Sequence, residues 1–323
     1  MGKWYAGVVH SHTTRSDGIF SPADLVAQAE KKGLDFLIIT DHNAFCDPAP
    51  ASDKMLVIPG AELTTKFGHT NVWGVAHPFD DFDCPDYETW AKKINEARAK
   101  GAVICMNHPL CSQCGWHWPK EPEKCDCVEV WNSPQHTDNM LCTEWWQNEL
   151  RSGKKIPAVG GSDFHRDYFV TDFLDNPVTY VYAEELTQKA ILDAIKAGHT
   201  TVAPHVGAQM IEIYSGKSII GDTVKLDGNT SVTVSVNKLK KGQTLKIIDQ
   251  DGIRHTYKAV KTAPYRFTFP VTKAGFICAQ VEYDLVPGVK DVYAIAEQKV
   301  LHSKHKGELP AFIKSQTGAI YFE

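Results

Sequence analysis

The chain has 323 residues, of which 43% are hydrophobic and 23% are charged, and its formal net charge is -5. This length leaves room for one large domain and a smaller one, and the composition is typical of a globular protein. The acidic balance argues against a broad nucleic-acid surface, and no apolar stretch approaches the roughly 18 residues that a membrane span requires.

The cysteines indicate the compartment. There are nine of them, an odd number, and Cys105 and Cys278 fall in predicted strands. An odd count with strand positions favours a reducing compartment over a disulfide framework. The chain enters a strand directly after Met1, so no secretory signal is visible. We therefore expect a cytoplasmic protein.

Strands and helices alternate along the first 205 residues. The first strand, 4–9, precedes a helix that Ser21 caps and Gly33 ends. Alternation of this kind predicts parallel strands joined by helical crossovers. The further strands predicted are 34–40, 56–59, 102–107, 127–131 and 156–160, and the further helices are 86–100, 138–152 and 187–197.

Side chains that bind metals follow five of these strands. His10 and His12 end the first strand, and Asp163 and His165 end the last. Residues i and i+2 of a strand share a face, so each pair can face one ion. Carboxylate and imidazole together suit zinc, iron or manganese. The other three strand ends carry Asp41 with His42, Glu62, and His108.

A cysteine cluster offers a second, separate metal hypothesis. Cys111 and Cys114 are followed by Cys125 and Cys127, with His117 between the pairs. The spacing is looser than that of most structural zinc sites, and Cys127 also fits a strand as a small hydrophobic residue. Both interpretations stay open on the sequence alone.

The pattern changes near residue 206. Short alternating segments separated by turn residues predict a small antiparallel β-sandwich over 206–300. The remaining residues, 301–323, include His302, Lys304, His305 and Lys306 and are predicted to form a C-terminal tail.

These motifs resemble the PHP (polymerase and histidinol phosphatase) superfamily over residues 1–205. The segment 128–132, with the trailing β domain, is similar to the CehA/McbA-like subgroup. The resemblance implies an α/β fold built on a distorted, TIM-like (β/α)7 barrel. The motifs that carry the resemblance are His10-Ser11-His12, Ser16-Asp17-Gly18, Thr40-Asp41-His42-Asn43, Gly60-Ala61-Glu62, Asn107-His108-Pro109 and Gly161-Ser162-Asp163-Phe164-His165.

The resemblance also implies two or three divalent ions, which are zinc, manganese or iron. Asp41 is expected to support the site without coordinating directly. The implied ligands are His10, His12, Glu62 and Asp163 for one ion, Asp17, His42 and His165 for a second, and Glu62, His108 and His69 for a third.

The implied reaction is in-line attack by a metal-bridging hydroxide on a small phosphate ester, either a phosphomonoester or a nucleotide. Arg15 and Arg166 flank metal motifs and are candidates to bind the substrate phosphate. With Glu62, Asp163 and His165 they make up the predicted catalytic residues. A metallohydrolase of carboxylic or carbamate esters and a non-catalytic metal-binding protein remain as alternatives, and the oligomeric state stays open.

Overall fold

Four helices of the computed structural model lie where the local sequence signals place them, but a further helix, Pro287–Lys299, lies in the segment that was predicted to belong to the β-sandwich over 206–300. The model describes residues 2–167, 172–299 and 309–323. Ser21 Oγ accepts a hydrogen bond from the Asp24 amide, and Gly33 ends the first helix with a φ of 74°. The helices are α1 (Pro22–Lys32), α2 (Tyr87–Ala99), α3 (Thr137–Arg151), α4 (Gln188–Ala197) and α5 (Pro287–Lys299).

The strands of the first part form one curved, mixed sheet, in the order β9-β8-β1-β2-β3-β4-β5-β6-β7. It curls until Gly160, in β7, exchanges hydrogen bonds of 2.8 and 2.7 Å with the hydroxyl of Thr179, in β8. These strands are β1 (Lys3–Val8), β2 (Phe36–Ile39), β3 (Leu56–Thr65), β4 (Gly68–Trp73), β5 (Val103–Met106), β6 (Cys127–Asn132), β7 (Ala158–Gly161), β8 (Val178–Ala183) and β9 (Thr200–Ala203).

The predicted barrel is present, but fewer of its strands are parallel than the alternating pattern suggested. β1, β2 and β3 run parallel, as do β5, β6 and β7. β3 continues past the predicted end at residue 59 and turns directly into antiparallel β4. No helix separates these two strands, so the chain returns by a hairpin. This hairpin places Glu62 and His69 on neighbouring strands.

The second part packs two sheets face to face. β11, β10, β13 and β16 form a four-stranded sheet, and β14, β17 and β19 of the other sheet oppose it. Buried isoleucine and valine side chains fill the space between the two sheets. The strands are β10 (Ile211–Ser215), β11 (Ser218–Ile219), β12 (Thr223–Val224), β13 (Ser231–Leu239), β14 (Thr244–Asp249), β15 (Gly252–Lys258), β16 (Ala263–Pro270), β17 (Gly275–Tyr283), β18 (Phe312–Thr317) and β19 (Ile320–Phe322).

The predicted C-terminal tail, 301–323, differs from the structure in its second half. Strand β18 pairs with β17 and with β9, which joins the C-terminal strands to the barrel sheet. Phe312 and Ile313 are buried there, so hydrophobic burial holds this segment in the sheet. Residues 300–308, which include His302, Lys304, His305 and Lys306, lie outside the described residues.

Helix α5 packs beside the start of α3. Glu297, only 2% exposed, accepts hydrogen bonds from the amide and the hydroxyl of Thr137. Tyr293 Oη donates to the carbonyl of Gln135 over 2.5 Å. The C-terminal part therefore borders the rim of the barrel. Among the described helices, none has the length and apolarity that crossing a bilayer would need.

Candidate metal centre

Backbone hydrogen bonds join the loops that follow the barrel strands. The amide of His12 donates to the carbonyl of Phe164 over 2.8 Å, and the amide of Asp163 donates to the carbonyl of His10 over 3.0 Å. His42 forms a bridge to Glu62 in the same way. The carboxyl ends of parallel strands meet at one rim, so these contacts bring the strand-end side chains together.

Glu62 is fully buried at the centre of the predicted ligands. Its Oε1 lies 3.2 Å from His69 Nδ1, 3.4 Å from His10 Nε2 and 3.6 Å from His108 Nε2. Its Oε2 lies 2.5 Å from His42 Nδ1. A single carboxylate therefore lies within 3.6 Å of four predicted histidine ligands, and a fifth, His12, has its Nε2 3.7 Å from Oε2.

Asp163 contacts the same centre from the loop that follows β7. Its Oδ1 lies 3.0 Å from His12 Nε2, 3.2 Å from His10 Nε2 and 3.7 Å from His165 Nδ1. The backbone of Asp163 has a φ of 50°, which is uncommon for a residue with a side chain. Strained backbone of this kind persists where the surrounding structure fixes it, often at functional sites.

A third group of ligands lies nearer the solvent. His165 Nε2 is 3.2 Å from Asp17 Oδ1 and 3.5 Å from His42 Nε2. The side chain of Asp17 is 57% exposed, whereas those of His10 and His12 are completely buried. The centre therefore opens toward solvent on the Asp17 side.

The donor set fits divalent ions. Three overlapping groups each place their ligand atoms within 4.8 Å of one another. His10 Nε2 and His69 Nδ1 are buried without a hydrogen-bond partner, which is costly unless another ligand satisfies them. Imidazole nitrogens with carboxylate oxygens suit zinc, manganese or iron. The groups are His12, Asp17, His42 and His165; His10, His12 and Asp163; and His42, Glu62 and His69.

Glu62, which is fully buried, and Asp163, which is 18% exposed, are both held in their charged form. Burial would raise the pKa of Glu62, but the charge of His10 and the close approach of His108 and His42 place it well below the ordinary value. Burial opposes ionisation of Asp163 as well, and His10 and His12 again lower its pKa strongly. Both side chains are therefore available as anionic ligands.

The histidines divide into two kinds. Burial lowers the pKa of His10, but Asp163, Glu129 and Glu62 raise it well above its ordinary value. His108 behaves similarly, with a pKa of about 9. For His12, burial outweighs Asp163 and Glu62, and the pKa falls. In the metal-free protein, protons therefore occupy part of the space that a divalent ion would fill.

Glu129 contacts the candidate centre and was not assigned a role from the sequence. Its Oε1 lies 2.9 Å from His10 Nδ1, and its Oε2 accepts hydrogen bonds from the His108 amide and from Asn132 Nδ2 over 3.1 and 3.0 Å. A carboxylate on the second ring nitrogen orients a metal-binding histidine. The available signal was a lone acidic residue inside the apolar strand 127–131.

Gly161 lets Glu129 approach His10. A Cβ atom at this position would lie 2.2 Å from Glu129 Oε1 and 2.5 Å from His10 Cβ. Both distances are below van der Waals contact, so a side chain here would push the two residues apart.

Asp41 lies behind the centre, as expected of a supporting residue. Its Oδ1 accepts hydrogen bonds from the Thr13 amide and from Ser16 Oγ, each over 2.7 Å. Its Oδ2 accepts one from Thr13 Oγ1 over 2.7 Å. Asp41 therefore fixes the loop that carries Asp17.

The two candidate phosphate-binding arginines are placed differently. Arg15 donates to the carbonyls of Phe45 and Pro48, over 3.1 Å in each case, and so holds the loop after His42. Arg166 follows His165 and is exposed. Both flank the centre, and their role toward a phosphate stays a prediction.

The two cysteine pairs do not form one cluster. Cys111 and Cys114 group with His108. Cys127 instead pairs in register with Cys105 in neighbouring strands β5 and β6 and is buried. Within the described residues, a single site made of all four cysteines is not formed.

Comparison with known proteins supports the resemblance to the PHP superfamily. Residues 9–117 match the family model of the PHP domain. A two-domain protein of Bacteroides vulgatus, described as containing a predicted PHP-like metal-dependent phosphoesterase, superimposes with a TM-score of 0.52 at 20% identity, over 86% of this chain and 90% of that one. Residues 9–117 therefore resemble the PHP domain, and the chain shares the fold of this PHP-like neighbour, as the motifs predicted. The CehA/McbA-like subgroup remains a prediction.

Two curated relatives match parts of the chain. A 64-residue segment is 39% identical to the 5'-3' exoribonuclease Rnm of Escherichia coli, covering 18% of this chain and 22% of that protein. A 103-residue segment is 28% identical to the protein of the same name from Salmonella typhimurium, covering 30% and 35%. The matches thus span about a third or less of either relative. The prediction of a hydrolase that acts on ester bonds agrees with these names.

Proposed function

We propose that this protein is a metal-dependent phosphoesterase that hydrolyses a small phosphate ester, either a phosphomonoester or a nucleotide. The observation that carries the proposal is the position of Glu62, which contacts His10, His42, His69 and His108. We assign the predicted ligands to the centre in the three groups that the family resemblance implies. Divalent ions bound there supply an acidified water molecule and neutralise charge on the ester oxygens.

The candidate ligands differ in their exposure to solvent. His10 and His12, completely buried, fix the inner side of the centre with Asp163. Asp17, His42 and His165 lie on the open side, where the side chains are 57%, 24% and 20% exposed. An ester phosphate therefore approaches from the open side.

A cavity beside Asp163 favours a small substrate. It has a volume of about 190 Å³ and is also lined by Asn132, His136, Cys114 and Glu297. Pockets for larger ligands hold about 300–1,000 Å³. The group esterified to the phosphate fits this cavity only if it is compact or remains partly outside.

The 5' end of a nucleic acid is the second candidate substrate. The two curated relatives are named as 5'-3' exoribonucleases, and one of them is 39% identical over the matched 64 residues. Against this, the chain carries a net charge of -5, so it lacks the overall positive charge that binds polynucleotides. The small ester is therefore the first candidate and the nucleic acid the second.

A substrate panel separates these candidates. Metal-stripped protein is reloaded with Mn²⁺, Zn²⁺ or Fe²⁺ and assayed with p-nitrophenyl phosphate, its bis-ester, a nucleoside monophosphate, p-nitrophenyl acetate and a 5'-phosphorylated oligoribonucleotide. Turnover of a phosphomonoester that disappears with chelator supports the proposal. Turnover of the oligonucleotide alone selects the second candidate, and turnover of the carboxylic ester alone would overturn both.

Two variants serve this assay. Glu62→Gln removes the central charge and is expected to abolish activity. Glu88→Gln makes the same change at an exposed position on α2 and is expected to leave activity unchanged. Equal activity in both variants would remove Glu62 from the mechanism.

A further inference from the structure

The segment Cys111-Ser112-Gln113-Cys114-Gly115 forms a tight turn around one sulfur atom. The amides of Gln113 and Cys114 donate to Cys111 Sγ over 3.4 and 3.3 Å. The amide of Gly115 donates to the carbonyl of Cys111 over 3.0 Å. Amide donors directed at sulfur favour the thiolate, which is the form that binds metals.

Gly115 is required for this turn. A Cβ atom there would lie 2.5 Å from the carbonyl oxygen of Cys111 and 3.1 Å from its amide nitrogen. Backbone atoms cannot yield as a flexible side chain can, so a larger residue would open the turn. The turn thus holds the two cysteine side chains on one side of the loop.

The third member of the group is His108. Its Nδ1 lies 3.6 Å from Cys114 Sγ, and the two sulfurs are 2.9 Å apart. The three ligand atoms all lie within 4.8 Å of one another. His108 has a φ of 26°, an uncommon value that helps to orient its ring.

We propose that Cys111, Cys114 and His108 Nδ1 form a thiolate site for Zn²⁺ or a similar soft divalent ion, which shares His108 with the main centre. Two thiolates and one imidazole are a known zinc donor set, and the fourth position remains for water or a substrate atom. Both cysteines line the cavity beside Asp163, so water or a small ligand has access to them. This site differs in chemistry from the carboxylate-histidine centre, because sulfur selects softer ions.

Binding requires a small adjustment and the loss of protons. With Zn–S bonds of about 2.3 Å, tetrahedral zinc holds its two sulfurs about 3.8 Å apart, so the sulfurs separate from their 2.9 Å contact. Each bound cysteine releases its thiol proton to solvent. The site is therefore favoured as pH rises.

His108 connects the thiolate site to the main centre. Its Nε2 lies 3.6 Å from Glu62 Oε1, on the opposite side of the ring from Cys114. A neutral imidazole has one nitrogen free to bind a metal, and the other carries the proton. An ion on the thiolates therefore leaves Nε2–H to donate to Glu62, so the thiolate site competes with the third ion of the Glu62 centre for His108.

Cobalt titration tests the proposal without any activity assay. Reduced, metal-stripped full-length protein is titrated with Co²⁺ while the near-ultraviolet thiolate-to-cobalt charge-transfer band is recorded. The wild type and Glu62→Gln are expected to show the band. Cys111→Ser and Cys114→Ser are expected to lose it, and the matched control Cys125→Ser is expected to keep it. The titration measures metal binding alone, so its outcome is independent of whether the protein is a phosphoesterase.

A second measurement covers variants that fail to fold. Thiol modification of the folded wild type is compared with and without Zn²⁺, and protection of the two thiols at positions 111 and 114 supports the site. Absence of the band in reduced wild-type protein would overturn the proposal. It would also be overturned if the band persisted in both Cys111→Ser and Cys114→Ser. A reducible Cys111–Cys114 disulfide with no metal binding after reduction would assign the pair to redox chemistry instead.

Discussion

The Nδ1 atom of His10 lies 2.9 Å from Glu129 Oε1, although 119 positions separate the two residues in the sequence. With its Nδ1–H donated to Glu129, His10 presents Nε2 to the space beside Glu62 and Asp163, whose oxygens lie 3.4 and 3.2 Å away, and this nitrogen is the one that would bind an ion there. Glu129 therefore selects the ring tautomer that binds a metal.

Glu129→Gln tests this relationship. The substitution retains the shape and an accepting oxygen but removes the charge that holds Nδ1–H. We expect metal affinity to fall about 10- to 100-fold. Competition with a fluorescent chelator measures the affinity, and Glu88→Gln is the surface control. Unchanged affinity would show that Glu129 serves packing alone.

Gly161→Ala tests the space between the same two residues. The added Cβ would meet Glu129 Oε1 at 2.2 Å, and such overpacking costs about 1–3 kcal/mol. Denaturant unfolding should show this loss, together with weaker metal binding. Gly288→Ala is the matched control, since a Cβ there meets nothing within 4 Å. Equal free energies of unfolding for the two variants would refute the steric argument.

The metal-free protein should lose stability as pH rises from near neutrality. Burial lowers the pKa of His108, but Glu62, Glu129 and Asp163 raise it from 6.5 to about 9. Since the folded-state pKa is the higher one, the stabilisation is complete below the unfolded value and is lost as pH rises through about 9. The pKa values of His10 and His42 are raised too, which adds to the effect.

Thermal unfolding of metal-free protein at a series of pH values measures this trend. The lowered pKa values of Glu62 and Asp163 act in acid, where their stabilisation is lost as pH falls through the folded values. Metal affinity should rise over the same range in which the metal-free Tm falls, because ions and protons compete for these side chains. A metal-free Tm that stays constant or rises between pH 7 and pH 9 would contradict the assignment, that interval lying inside the window from about 6.5 to about 9.

Glu297→Ala should loosen the packing of α5 on α3 and leave metal binding unchanged. The buried carboxylate accepts hydrogen bonds from the amide and hydroxyl of Thr137, and removing a charged acceptor costs about 1.5–3 kcal/mol. Hydrogen exchange is expected to quicken in α5 and at the start of α3. Metal content should remain at the wild-type level. Unchanged exchange in both helices would mean that Glu297 does not hold them together.

Local chemistry made much of the fold predictable from the sequence. Ser21 and Gly33 mark the ends of α1 because capping depends on residues within one turn. The strand-end histidines were visible for a similar reason, since alternation along a strand sets which side chains share a face. These signals lie within a few residues of the structure they determine.

The parts that the sequence did not predict depend on distant partners. Glu129 shows its purpose only when His10 lies beside it. Strand β18 is recognisable as a strand only when β9 and β17 offer it edges to pair with. The hairpin between β3 and β4 was not predicted because the strand was expected to stop at Pro59, whereas Pro59 lies inside β3. Contact between distant residues is a property of the whole fold, which a local pattern does not contain.

Metal content measured together with the Glu62→Gln variant tests the central claim most directly. Elemental analysis of the reconstituted, buffer-exchanged wild type is expected to find two or three divalent ions per chain, counting any ion on Cys111 and Cys114, because that ion and the third ion of the Glu62 centre would share His108. Glu62→Gln is expected to retain fewer, because the carboxylate that contacts four histidines is gone. A wild type that binds no ion, or a Glu62→Gln variant with the full complement, would contradict the account.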